Sequence, residues 1–329
     1  MSTPTPLRSF LGGVGLSFPV HALLTLNGSV FGISGFLHRA VRGSKEGWTA
    51  VLGLVSGGVA IGLLEGRGPQ LRMPELPVVL LSGLLVGVGT RMANGCTSGH
   101  MISGLSRLSK RSITATLTFF AAGVPVSRLL HSSLPPRYAS EPFALDSYAK
   151  TLLAAQAIPL LLVSLLYLRT PSPPSSENTD PNAEKASSST SRLLTFWATG
   201  VEFALALRLS ELSDPTKVIS FLLLPIHPAF DPSLMFLALG ALPASFCLYH
   251  FCRGPEKPRL GGTWSISKGG LVDTKLVVGA AFFGVGWGIS GICPGPALVN
   301  LGQALASGER IPVNVTWLAA FIAGGFVTG

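Results

Sequence analysis

Long charge-free stretches, broken by short loops that carry most of the Lys and Arg, dominate this chain. Nine of them, 10–26, 48–64, 76–92, 112–130, 151–168, 192–212, 232–252, 274–289 and 311–328, suit a bilayer crossing, which takes about 20 mostly apolar residues. Four shorter apolar segments, near 27–41, 93–108, 213–224 and 290–307, are rich in Gly, Ser and Pro. Segments of that length are re-entrant or interfacial, and irregular backbone survives at membrane depth only where it lines a cavity or is buried in protein. The pattern therefore predicts an all-α integral membrane protein of about nine spans, with four re-entrant half-helices around a central cavity. Residues 169–191, which include PSPPSSENTDPNAEKASSST, have too little apolar surface to offset ordering entropy. They read as a disordered linker between a first half, 1–168, and a second, 192–329.

Composition supports membrane insertion: 47% of the 329 residues are hydrophobic and 12% charged, about half the charged share of a soluble domain. The net charge of +9 does not point to nucleic acid, because the basic residues lie in loops rather than on one periodic face. If the nine spans alternate and each short segment returns to the side it left, one side collects 14 Lys and Arg and the other 8, with Arg91 and Arg208 left inside the membrane. The richer side, which includes the linker, is expected to be cytoplasmic. The first apolar stretch lacks a cleavage-type ending and reads as a retained span. The four cysteines, Cys96, Cys247, Cys252 and Cys293, have no metal-ligand spacing; neither a disulfide framework, a metal nor a cofactor is expected. The 39 glycines favour close helix packing and broken helices.

The halves also resemble each other. GVGTRMANGC at 87–96 and GVGWGISGIC at 284–293 share their first three residues and a Cys at the same offset. The crossing count puts the first two short segments on one side and the last two on the other, an inverted repeat. In that plan discontinuous helices meet near the bilayer midplane and the substrate sits where they meet.

Chemistry concentrates at those breaks. Gly95, Thr97, Ser98 and Gly99 flank Cys96, so backbone N–H groups and the N-terminus of a short helix would face an anion. Arg91, within a span, marks an ion pathway or else snorkels near a helix end. His100 offers a hydrogen bond or a proton, or else a structural tie. In the second half Cys293 precedes Pro294, Gly295 and Pro296, and Pro suits a helix start. A neutral thiol is a weak donor on a soft atom, which suits passage through weak sites. Asp214 and Asp231, each before a Pro, read as helix N-caps. Cys247 and Cys252 read as packing residues. Glu202 and Arg208, six apart, do not share a helical row.

GCTSGH with GLSRLSKRS, SDPTKVISFL to FDPSL, and GVGWGISGICPGPALVNLG together resemble the YeeE/YedE family of sulfur-compound transporters, over most of the chain outside 131–191. The resemblance implies an hourglass-shaped thiosulfate importer in which inward-dipping loops place cysteines along a central path. Cys96 and Cys293 match the pathway cysteines. The first dipping segment, GISGF at 32–36, has no Cys, and Ser34 is the nearest polar residue. The expected function is import of thiosulfate or a similar small sulfur anion across the plasma membrane, not catalysis, with a sulfur-accepting protein as cytoplasmic partner. Two alternatives stay open: carriage of sulfate, sulfite or a selenium compound, and an intramembrane enzyme forming a persulfide on Cys96, which needs a low-pKa thiolate beside a basic group such as Arg91 or His100.

Overall fold

The computed structural model describes residues 4–69, 75–136, 143–171, 181–266 and 271–328, with the helix backbone alone over 181–189. Helices and connecting loops account for all of these residues, without a strand. The first half is built from α1 (Pro6–Asn27), α2 (Ile33–Ala40), α3 (Lys45–Glu65), α4 (Leu76–Ala93), a π-helical turn π1 (Ser98–Leu105), α5 (Lys110–His131) and the pair α6 (Ser147–Ala155) and α7 (Ala157–Arg169). The second comprises α8 (Pro181–Leu209), α9 (Pro215–Leu222), α10 (Ser233–Phe251), α11 (Thr274–Ser290), α12 (Pro294–Ser307) and α13 (Ile311–Val327). The nine expected spans correspond to the long helices, with α6 and α7 sharing one crossing. The four short segments are α2, π1, α9 and α12.

Length and hydropathy qualify seven stretches as membrane-crossing. Leu63, Leu80, Leu117, Leu129, Leu161 and Leu239 expose large apolar side chains, a surface that a water-soluble monomer avoids and a bilayer covers. The molecule is an integral membrane protein.

Each short segment is bracketed by left-handed residues, Gly28 and Gly43, Asn94 and Leu108, Glu211 and Leu224, Gly291 and Gly308. A left-handed residue ends a helix by turning the chain out of its axis. Asn94 (φ 54°) and Gly291 (φ 69°) fall at the same place in the two related decapeptides, so the repeat holds in the backbone.

The halves are inverted. The start of α1 meets the end of α8, where Ser9 Oγ donates to the Ser210 carbonyl at 3.1 Å. The end of α1 meets the early turns of α8, where Asn27 Nδ2 donates to the Arg192 carbonyl at 3.0 Å. The equivalent helices α1 and α8 therefore run antiparallel. So do α4 and α11: Gly286 lies against Ser82, and Gly279 against Ala93. Glycines bring these backbones together, since a Cβ on Gly89 would stand 2.3 Å from the Phe283 nitrogen.

Two boundaries differ from the sequence reading. Of the expected linker, 172–180 lie outside the described residues, whereas from Pro181 the chain is already helical; hydropathy marks the apolar length of a helix, not its full length. The fifth crossing divides at Gln156, between α6, capped by Asp146 accepting from the Ala149 N–H at 2.8 Å, and α7.

Candidate functional site

Three of the four short segments bring their N-terminal ends together. At the start of α2 the Ile33 N–H donates to Ser98 Oγ at 3.3 Å, and Ser98 Oγ lies 3.4 Å from Cys96 Sγ. Across the repeat interface, Thr97 Oγ1 donates to Cys293 Sγ at 3.6 Å, and the Gly295 N–H turns onto the same sulfur. The approach is close: a Cβ on Gly295 would meet Ile33 Cδ1 at 2.8 Å, and one on Gly99 would reach Gly32 Cα at 4.0 Å. Both thiols are free and buried. The α9 segment backs this junction, its Pro215 carbonyl lying against Gly291.

Two cavities meet the junction. One, of about 600 Å³, is lined by Cys96, Thr97, Ser98 and Cys293, with Phe120, Leu237 and Trp287 among its apolar walls. The other, of about 550 Å³, is lined by Ser34, Thr90, Arg91, Asn94, Gly95, Gly99 and His100 and by four further arginines, Arg39, Arg42, Arg107 and Arg111. Its one acidic lining residue, Glu46, pairs with Arg192 at 2.7 Å, so the vestibule is strongly basic. Positive potential therefore stands on this side of the junction.

The structure brings together Cys96, Cys293, Thr97 and Ser98 at the apolar cavity, and Arg91, Ser34, His100, Gly95 and Gly99 at the basic one. His100 is doubly tied: Nε2 lies 3.2 Å from the Ala93 carbonyl and Nδ1 3.2 Å from Ser112 Oγ. A carbonyl only accepts, so Nε2 carries a proton and the ring pins π1 to α4 and α5. The π-helical form of this turn departs from the ordinary short helix expected there; π-turns often accompany functional sites. Pro294 opens α12 as expected, with Cys293 at the cap position.

Asp214 caps α9 by accepting from the Thr216 N–H at 2.8 Å. Asp231 differs from the expected cap: Pro232 holds that position, and Asp231 accepts from the Ser233 N–H at 2.9 Å while its other oxygen pairs with buried Lys217 at 3.1 Å. Cys247 and Cys252 are exposed rather than packed. Arg208 pairs with Glu65 of α3 and not with Glu202. Sequence reasoning used Arg39, Arg42, Arg107 and Arg111 only to orient the chain; their convergence on one vestibule follows from the returning paths of α2 and π1.

Crossing helices, paired half-helices and two cavities separated by a narrow junction define a membrane transport protein. A family model described as "Sulphur transport" matches residues 4–125, and one described as a family of unknown function, DUF6691, matches 191–328. A "Probable transporter" of Xylella fastidiosa strain 9a5c is 40% identical over 123 residues, 36% of this chain and 91% of that protein. Another, from strain Temecula1, is 36% identical over 119 residues, 36% of this chain and 80% of its own length. The "Thiosulfate transporter TsuA" of Spirochaeta thermophila is 34% identical over 73 residues, 21% of this chain and 22% of that protein. The chain belongs to the YeeE/YedE-type sulfur transporter family and is a transporter of sulfur compounds.

Proposed function

We propose that this protein imports thiosulfate, entering from the α9 and α12 side, passing Cys293 and Cys96, and leaving through the arginine vestibule into the cytoplasm. The observation that carries this reading is the Thr97 to Cys293 contact at 3.6 Å, which joins the two thiol-bearing half-helices at one point. Thiosulfate has a soft terminal sulfur and three hard oxygens. The thiols suit the sulfur, whereas the Thr97 hydroxyl and the N–H groups opening α2 and α12 suit the oxygens. Among the described residues no Lys or Arg lines the apolar cavity, so the anion is held weakly, as passage requires. The name of the Spirochaeta relative supports the choice of thiosulfate.

In this reading the 1–168 and 192–329 halves act as paired units in the plasma membrane. Ser34 stands beside the path on its cytoplasmic side, Gly95 and Gly99 leave room for the anion, and the 170–191 stretch, the start of α8 included, lies in the cytoplasm. A sulfur-accepting protein receives the cargo at the vestibule mouth. Labelled-thiosulfate uptake into liposomes carrying the purified protein tests the proposal. Saturable uptake, competed by excess unlabelled thiosulfate, is expected. Its absence with intact, inserted protein rejects thiosulfate; sulfate or sulfite uptake in its place would reassign the substrate.

A further inference from the structure

Among the described residues, Glu202 and Asp231 are buried and Glu65 and Asp214 half-buried between helices, and all of these but Glu202 have partners. Glu65 pairs with Arg208, Asp231 with Lys217, and Asp214 caps α9. The fourth, Glu202, is 1% exposed, and neither carboxyl oxygen has a hydrogen-bond partner. An ionised carboxylate in such a place is costly unless it is paired.

Its position follows from α8. Arg192 lies ten residues away and Arg208 six, roughly 15 and 9 Å along the axis at 1.5 Å per residue, which puts Glu202 in the body of the membrane. Ala198, Glu202 and Ala206 share one helical row. Ala198 packs with Leu26 and Val163, and Ala206 lies against Gly15 beside Gln156, so Glu202 lies in the seam of α8 with α1 and the α6–α7 break. Next in sequence, Phe203 stacks on Phe31 at 4.5 Å and lines the apolar cavity. One helical row thus separates the carboxyl from the path. Towards the Arg192 end, Thr199 and Thr195 continue a line of buried hydroxyls at helical spacing.

The charged groups of every element packed on α8 are engaged elsewhere or face away. On α1, Arg8 pairs with Glu211 and His21 lines a small cavity with Arg107 and Tyr249. On α3, Lys45 is exposed, Glu46 holds Arg192 and Glu65 holds Arg208. On α6, Tyr148 bonds Glu65 and Lys150 is exposed. On α7, Tyr167 carries Arg259 on its ring and Arg169 is exposed. The α12 segment holds no ionisable side chain.

We infer that Glu202 is a proton-carrying site of the transport cycle, protonated from the outside and deprotonated towards the cytoplasm as the anion passes. The inference rests on the transport reading above, and the chemistry of that cargo requires something of the kind. Inward movement of a dianion opposes a negative-inside membrane potential, and a co-transported proton offsets part of that charge. One carboxyl without further oxygen ligands suits a proton and not a metal cation, which needs several. Because Phe203 touches Phe31 in the loop leading to α2, movement of α2 is transmitted to α8, where a small rotation opens the seam to water.

The test uses the full-length protein in liposomes, with labelled thiosulfate outside and a pH dye inside, alongside infrared spectra of the wild type and Glu202→Gln. Wild-type uptake should be stimulated several-fold by an acid-outside gradient, with internal acidification. Glu202→Gln should lose both responses yet keep exchange of thiosulfate down its own gradient. A protonated-carboxyl band should be present at neutral pH in the wild type and missing from the variant. If Gln prevents insertion, Glu202→Asp replaces it and should displace that band. Full gradient response in the variant, or a wild type lacking the band, overturns the proposal while leaving thiosulfate transport intact. No wild-type uptake under any gradient rejects the substrate reading and the coupling with it, and the band then reports the protonation separately.

Discussion

Two cysteines of four are distinguished by surroundings and not by intrinsic chemistry. Cys96 and Cys293 are buried where half-helices meet, whereas Cys247 and Cys252 sit exposed near the end of an ordinary span. If the buried pair contacts the cargo through sulfur, Cys96→Ala and Cys293→Ser should each lower the thiosulfate kcat/KM by about tenfold or more, equivalent to about 1.4 kcal/mol, with insertion unchanged. Cys247→Ser and Cys252→Ser should transport like the wild type. Uptake measured at equal reconstituted protein checks both, and full activity in the Cys96→Ser, Cys293→Ser double variant would remove the thiols from the path. His100 belongs to a different class: with both ring nitrogens engaged, His100→Ala should loosen π1 and lower thermal stability as well as transport.

Among the elements, α12 and π1 are held unequally although they are repeat counterparts. Gly58 and Gly302 let α3 and α12 touch backbone to backbone; an added Cβ would stand 2.1 Å from the Val299 carbonyl oxygen in one case and 2.0 Å from the Val55 carbonyl oxygen in the other. Leu239 and Leu242 of α10 line the apolar cavity beside π1. Both segments border that cavity, π1 through Met101 and Leu105 and α12 through Gly295 and Pro296, but α12 is in addition locked onto α3. Gly302→Leu should therefore destabilise the protein by about 1–3 kcal/mol or more, the usual cost of overpacking, read as a lowered Tm in detergent. The Arg208 to Glu65 pair, bridged by Tyr148 and by Gln303 at 3.1 Å, ties α8, α3, α6 and α12. Arg208→Ala, leaving the Glu65 carboxylate with the exposed Arg67 as its remaining counter-charge, should cost up to about 3–5 kcal/mol, and Arg208→Met with Glu65→Gln should cost less than the single change.

At the scale of the whole molecule, inversion of the halves places an uncharged cavity and an arginine vestibule on opposite sides of one junction. In the proposed transport this asymmetry would separate holding from collecting, the thiol side releasing its anion easily and the basic side drawing it onward. Neutralising Arg39 and Arg42 together, each to Gln, should raise KM more than it lowers kcat. The loss should grow smaller at high ionic strength, where surface charge is screened within about 8 Å or less. A protease site inserted at 172–180 should be cut only from the cytoplasmic face; cleavage from outside intact cells would reverse the assigned direction of the basic vestibule.

The sequence by itself determined the long apolar stretches, the four broken segments and the two related decapeptides, because hydropathy, Gly, Pro and charge act locally and leave their mark at the residues concerned. It also singled out Cys96, Cys293, Thr97 and Arg91, since polar groups inside a membrane are few and conspicuous. Only the tertiary structure decided which of these meet. Thr97 and Cys293 stand 196 positions apart, and their contact depends on the antiparallel packing of equivalent helices. Partner choice was equally hidden: Arg208 lies near Glu202 in sequence yet reaches Glu65, because direction around a helix, set by close glycine packing, decides what a side chain faces. Glu202 was legible as a charge in a span, but its lack of a partner is a property of the folded seam between α8, α1 and α7, which no local pattern records.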